Sequence, residues 1–176
     1  MEERKTVGVV LVCIDGGNCG MVPVQQRAET EIDEKTGELV SQSNPHVLQL
    51  TFGGKVEKGE TLMEALKREC EEELGKKFAE QFDFSTLILF HTGEFEFRDK
   101  HFTSYDYVST LTTREYEMIE LHSAAERMVW IRNLDLIHIK PKQTRVDPQK
   151  ELVMFQDQLD ALRGLYRLAG ILGFLI

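Results

Sequence analysis

The stretch GGKVEKGETLMEALKRECEEELGKK, Gly53 to Lys77, decides how the chain is read. Its middle carries a helix with signals at both ends. Thr61 followed three residues later by Glu64 is a capping box, in which each side chain satisfies a backbone N–H of the other. Gly75 suits the left-handed position just past a helix end. Between them Leu62, Ala65, Leu66, Cys70 and Leu74 recur at three- and four-residue steps, an apolar stripe of helical period.

The carboxylates fall in an unusual place. At about 100° per residue, Glu69, Glu72 and Glu73 share a sector roughly 100° wide that overlaps the apolar stripe. Glu64, Lys67, Arg68 and Glu71 lie on the opposite side and read as a solvated mixture. Acids in the last turns of a helix also oppose its dipole, at about 0.3–1 kcal/mol each. Like charges this close raise one another's pKa and weaken the fold unless something positive sits among them. A divalent cation with oxygen ligands meets that need. The plainer reading is an acidic, solvated helix in an acidic protein.

The spacing weighs against the plainer reading. Gly54, five residues, Glu60, seven residues, then Arg68-Glu69-Cys70-Glu71-Glu72-Glu73-Leu74-Gly75 resembles the Nudix box, G-x5-E-x7-R-E-U-x-E-E-x-G-U with U aliphatic. All seven fixed positions agree. At ordinary residue usage a chance match in a chain this long is on the order of one in a million. Cys70 is a small hydrophobe and keeps the sense of U. Lys76 departs, standing where the final aliphatic belongs, and Phe52 occupies the place where many relatives carry Pro.

Composition sets the wider bounds. A chain of 176 residues suggests a single domain, 1–176, with enough length for a real core. The net charge of −9 argues against nucleic-acid binding through a general basic surface. It also requires any phosphate site to be locally positive. Three cysteines, Cys13, Cys19 and Cys70, form no C-x-x-C pair and point to a reducing cytoplasm. The N-terminal apolar run is too short to span a membrane and lacks a cleavage site, so no membrane partner is expected.

Taken in order, Thr6–Ile14 reads as a buried strand and Met21–Arg27 as its hairpin partner. Arg27 is a candidate phosphate contact. Residues 28–46 form a long polar insertion with a turn at Lys35-Thr36-Gly37-Glu38, and Val47–Phe52 a short strand. The paired glycines Gly53 and Gly54 let backbone approach a ligand and free carbonyls for a metal. Phe78–Phe84 reads as a linker. Thr86–Phe97 and His101–Leu111 form a hairpin turning at Arg98-Asp99-Lys100, with Glu94 and Glu96 solvated. Val129–Ile131 reads as a strand, Ile137–Ile139 as a short one, and Pro148 as the opening of a final helix at about 149–170. Mixed strands and helices of this kind fit a sheet covered by helices.

The Nudix resemblance covers about 6–141 and implies an α/β (α+β) fold, an α/β/α sandwich around a mixed β-sheet. It implies hydrolysis of a pyrophosphate bond in a nucleoside diphosphate linked to another moiety, with Mg²⁺ or Mn²⁺. The substrate is then a small nucleotide: a nucleoside triphosphate, an ADP-sugar or a dinucleotide. By the same resemblance Glu69, Glu72 and Glu73 are the metal ligands, with the Gly53 or Gly54 carbonyl as a further one. Arg68 orients Glu72 four residues on, and Glu60 ties the loop to the helix, in an ion pair with Arg68. The general base is Glu69 in some relatives. In others it is a Glu before the last strand, for which Glu115, Glu117, Glu120 and Glu126 are candidates and Glu120 is favoured. His91, His101 and His122 are further candidates for phosphate contact. Family analogy allows a homodimer. The alternative is a non-catalytic module that binds a nucleotide or nucleotide sugar.

Overall fold

The computed structural model describes residues 3–33, 36–97, 100–143 and 146–172. In chain order its strands and helices are β1 (Glu3–Cys13), β2 (Val22–Arg27), β3 (Thr30–Ile32), β4 (Leu39–Ser41), β5 (Leu48–Gln49), β6 (Phe52–Lys55), α1 (Leu62–Leu74) and α2 (Lys76–Gln81). Then come β7 (Ile88–Phe97), β8 (Lys100–Leu111), α3 (Thr113–Tyr116), β9 (Ala125–Ile131), β10 (Lys140–Pro141), β11 (Val153–Met154) and α4 (Gln156–Leu172). The expected mixed α+β class holds. The chain divides into two compact units, Met1–Gly16 with Thr51–Glu120, and Gly17–Leu50 with Leu121–Ile176.

The first unit holds a four-stranded sheet in the order β6-β1-β8-β7. β1 runs antiparallel to β6 and parallel to β8. An interior strand covered on both faces needs a continuous apolar run, and Val9, Val10 and Leu11 are fully buried. β7 and β8 form the long antiparallel hairpin the sequence suggests. Its Arg98-Asp99 turn lies outside the described residues. Glu94 and Glu96 are exposed, as expected. The second unit holds a five-stranded sheet, β10-β11-β5-β2-β9, and the two-stranded β3–β4. There α4 buries Leu159, Leu162, Leu165 and Tyr166, and the Tyr166 hydroxyl donates to the Ile131 carbonyl.

Several local expectations fail for identifiable reasons. Met21–Arg27 is not the hairpin partner of β1: β2 pairs with β5 and β9, and β1 with β6 and β8. Val47–Phe52 is two strands in two sheets, because β5 joins β2 while β6 joins β1. The 28–46 insertion is a hairpin whose Gly37 N–H donates to the Asp33 carbonyl at 2.7 Å; Lys35 lies outside the described residues. The supposed linker after α1 begins as a second helix, α2, which buries Phe78. Ile137–Ile139 is no strand. A turn of 3-10 helix covers Asn133–Ile137, capped by Arg132 and Asp135. The last helix opens at Gln156, not at Pro148, because Val153 and Met154 are taken up by the sheet.

Gly53 sits where β6 meets β1, with φ +155°. A Cβ there would overlap the carbonyl oxygen of Val7. Gly53→Ala is therefore expected to lose about 1–3 kcal/mol of unfolding free energy in urea denaturation. An unchanged midpoint would show that the β6–β1 corner has slack.

Candidate active site

The site is assembled on α1. Its N-terminus carries the expected reciprocal cap: Thr61 Oγ1 accepts from the Glu64 N–H at 3.2 Å, and the Glu64 carboxylate accepts from the Thr61 N–H at 2.8 Å. The Thr61 N–H, and the Thr61 hydroxyl that donates to the same oxygen, hold the Glu64 carboxyl below its usual range. Ala65, Leu66, Cys70 and Leu74 are buried, so the apolar stripe orients the helix as read. At the other end Gly75 has φ +89° and ψ 151°. That is a glycine-favoured conformation, though not the left-handed cap, and it allows α2 to start at Lys76. Lys76 extends into solvent toward Glu80.

Arg68 organises the acids. Placed on the solvated side in the sequence reading, it is half-buried instead. Its Nε and Nη2 form a fork on the Glu60 carboxylate at 2.9 and 3.2 Å. Nη1 donates to Glu69 Oε1 at 2.9 Å and to Glu72 Oε2 at 3.1 Å. Nη2 also donates to the Lys55 carbonyl at 2.8 Å, which ties the strand after the glycines to the helix. Such charge-assisted, bidentate bonds are the stronger kind. Bonding to Glu60, then to Glu69 and Glu72, raises the proton affinity of Arg68 further. The same pairing lowers the Glu60 carboxyl.

The three helical acids occupy different environments. Glu69 is 13% exposed, and burial raises its pKa despite the opposing hydrogen bond from Arg68. Its carboxylate lies 2.5–2.6 Å from where a Gly54 Cβ would stand, so a side chain there would have to displace it. Glu73 Oε2 accepts the Gly53 N–H at 2.7 Å. Glu72 is 40% exposed and sits at the rim, not inside with the other two. The helix and its entry loop therefore bring Glu69, Glu72 and Glu60 onto the Arg68 guanidinium, and Glu73 onto the adjoining glycine backbone. Among the described residues no three acidic, His or Cys side chains stand in a ready metal-ligating group. The donors still fit Mg²⁺ or Mn²⁺ in kind: hard carboxylate oxygens beside a glycine backbone with no side chains in the way.

The loop candidates separate. Glu115 is consumed by a second capping box, its carboxylate accepting from the Thr112 N–H and hydroxyl, both at 2.7 Å. Glu117 is exposed. Glu126 lies in the second unit and pairs with His46 at 3.0 Å. Glu120 comes to the C-terminal end of α1: its N–H donates to the Leu74 carbonyl at 2.9 Å, and its Cβ would touch a side chain at Gly75. The three histidines have structural partners. His91 Nδ1 meets Asp106 Oδ2 at 2.8 Å, His101 faces Glu94 at 3.9 Å, and His122 Nδ1 accepts from the Ala124 N–H. In the second unit, Arg27 Nη1 donates to Gln49 Oε1 at 2.9 Å while its buried Nε finds no acceptor.

The NUDIX domain model matches residues 3–153, and the chain belongs to the NUDIX family of pyrophosphohydrolases. Solved structures share the fold at low identity. The MutT protein of Methanosarcina mazei Go1 is 18% identical over 78% of this chain and 83% of that chain, with TM-score 0.53. A MutT NUDIX hydrolase from Burkholderia pseudomallei is 17% identical over 92% and 97%, with TM-score 0.54. A C. elegans Ap4A hydrolase in a binary complex is 17% identical over 95% and 98%, with TM-score 0.51. No curated protein matches the chain.

Removing Arg68 leaves the secluded Glu69 carboxylate without its counter-charge. Arg68→Ala is expected to cost about 1–3 kcal/mol of stability in metal-free buffer, measured by urea unfolding with a chelator present. Stability equal to the parent protein would mean the pairing is incidental.

Proposed function

We propose that this protein hydrolyses the pyrophosphate bond of a small nucleotide in which a nucleoside diphosphate is linked to another moiety. The observation that carries the reading is the placement of Glu69, Glu72 and Glu73 around one guanidinium and a paired-glycine corner. Glu69, Glu72, Glu73 and the Gly54 carbonyl would hold Mg²⁺ or Mn²⁺. When bound, such an ion neutralises the phosphate charge that repels a nucleophile and orients the reacting groups.

The chain's own residues have separable tasks. Arg68 is a positioning residue that keeps Glu69 and Glu72 in their working rotamers. Glu60 and the Lys55 carbonyl hold Arg68 in turn. Glu69 is the favoured proton acceptor for the attacking water, since burial makes its carboxylate more basic than an exposed one. Glu120, at the end of the same helix, is the loop candidate for that role. Arg27, at the end of β2, is kept as a candidate contact for a substrate phosphate. Cys13 and Cys70 are buried thiols and Cys19 an exposed one, none of the three in a disulfide. That fits a reducing, cytoplasmic setting. Among the described residues no helix is long and apolar enough to cross a membrane.

The test is a hydrolysis screen over nucleoside triphosphates, ADP-sugars, dinucleotides and dinucleoside polyphosphates with Mg²⁺, using labelled water to identify the phosphorus attacked. Glu72→Gln and Glu73→Gln should each lower turnover on the order of 100-fold. Undiminished turnover would reject the assigned roles. Tight nucleotide binding without phosphate release from any compound would instead favour a binding module. Arg27→Ala should raise KM with kcat nearly unchanged, the mark of lost uniform binding. An unchanged KM would rule out the Arg27 contact.

A further inference from the structure

His46 lies at the foot of the 28–46 insertion, far in chemistry from the acids of α1. Its ring is 14% exposed and bonded on both sides: Nδ1 to Glu126 Oε2 at 3.0 Å and Nε2 to Glu29 Oε1 at 3.1 Å. Its backbone has φ +62°, an uncommon conformation for a side-chain-bearing residue. It is held there by two backbone-centred bonds. The His46 N–H donates to the Arg27 carbonyl at 2.8 Å, and Gln26 Nε2 donates to the His46 carbonyl at 3.1 Å. From the 147–151 turn, Gln149 Nε2 stands 3.4 Å from Glu29 Oε1 and 3.3 Å from His46 Nε2.

We propose that His46, Glu29, Glu126 and Gln149 form a proton-operated clasp that ties Glu29, at the start of the 28–46 insertion, to His46 at its end, and frees Glu29 when the imidazole loses a proton. The donor arithmetic compels two states. Imidazolium donates from both nitrogens, so both glutamates are satisfied. Neutral imidazole donates from one and presents a lone pair at the other. Gln149 is placed to serve either state, giving its N–H to Glu29 in the first and to His46 Nε2 in the second. Glu29, 66% exposed, is then free to leave, whereas Glu126 keeps the remaining N–H. The Glu29 carbonyl accepts the Gln42 N–H at the base of the β3–β4 hairpin, so release of Glu29 loosens that hairpin.

The surrounding charges agree with a clasp closed at lower pH. Burial opposes the charged ring, but hydrogen bonds and charge from Glu126 and Glu29 outweigh it and raise the His46 pKa. On the 147–151 turn Asp147 is a further negative group, shared with Lys150. The cations on neighbouring elements are committed elsewhere, Lys142 to Asn44 and Arg27 to Gln49. The sign follows. A raised histidine pKa gives stability that is complete below the free value and is lost as pH rises through the folded one.

The test uses the full chain and no substrate, so it stands whether or not the hydrolase reading holds. The His46 ring is titrated by NMR from about pH 5 to about pH 9, with Gln42 amide protection followed in parallel. The His46 midpoint should lie above the roughly 6.5 of free histidine. Gln42 protection should fall through that same midpoint, by about tenfold for each pH unit of the excess. Glu29→Gln should lower the midpoint and shrink the step, and His46→Gln should abolish it. If His46→Gln fails to fold, Glu29→Gln, at an exposed side chain, carries the test. A midpoint at or below that of free histidine, a flat protection profile, or a Glu29→Gln variant identical to the parent would overturn the proposal.

Discussion

One guanidinium holds the site of this protein together. Arg68 donates to two carboxylates on its own helix, to Glu60 in the entry loop and to the carbonyl of Lys55 at the end of β6. Without a cation there, the acids of α1 would repel one another beside a buried apolar stripe. With it, three segments of chain are pinned at one point: strand, loop and helix. Arginine suits the task and lysine would not, because only a planar fork reaches a bidentate carboxylate and further acceptors at once.

The second constraint is space. β6 enters the sheet beside β1 through two glycines, and both are used. Gly53 presents its N–H to Glu73 in a conformation that a Cβ would block, and Gly54 leaves the volume that the Glu69 carboxylate fills. A carboxylate tucked against backbone in this way is partly desolvated, hence the upward shift of Glu69. Glu72, at the rim, remains in contact with water. The three acids thus share one helix but differ in exposure, Glu72 being the open one.

Legibility in the sequence followed the range of the interactions. The cap at Thr61 and Glu64, the stripe through Leu66 and Cys70 and the reach of Arg68 toward Glu72 are contacts within a few residues, and they were readable. The β1 pairings were not. The β8 partners lie 98 residues on and those in β6 43 to 49, and nothing local distinguishes such partners from an adjacent strand. Apolar runs also misled: Ile137-His138-Ile139 alternates like a strand, yet the Arg132–Asp135 cap winds the residues before it into a helical turn. Pro148 looked like a helix start, but sheet pairing of Val153 and Met154 delayed the helix to Gln156. The inward fold of Arg68 escaped the helical wheel for a different reason. A wheel places Cβ atoms, and a long side chain can cross to the far side.

The proposed grip of Glu69, Glu72, Glu73 and the glycine corner on a divalent ion would be visible in a crystal soaked in Mn²⁺, with the ion located by anomalous scattering. A peak bounded by the carboxylates of Glu69, Glu72 and Glu73 and the carbonyl of Gly54 is expected. A map in which these carboxylates keep their bonds to Arg68 and Gly53, with no ion among them at saturating Mn²⁺, would contradict it.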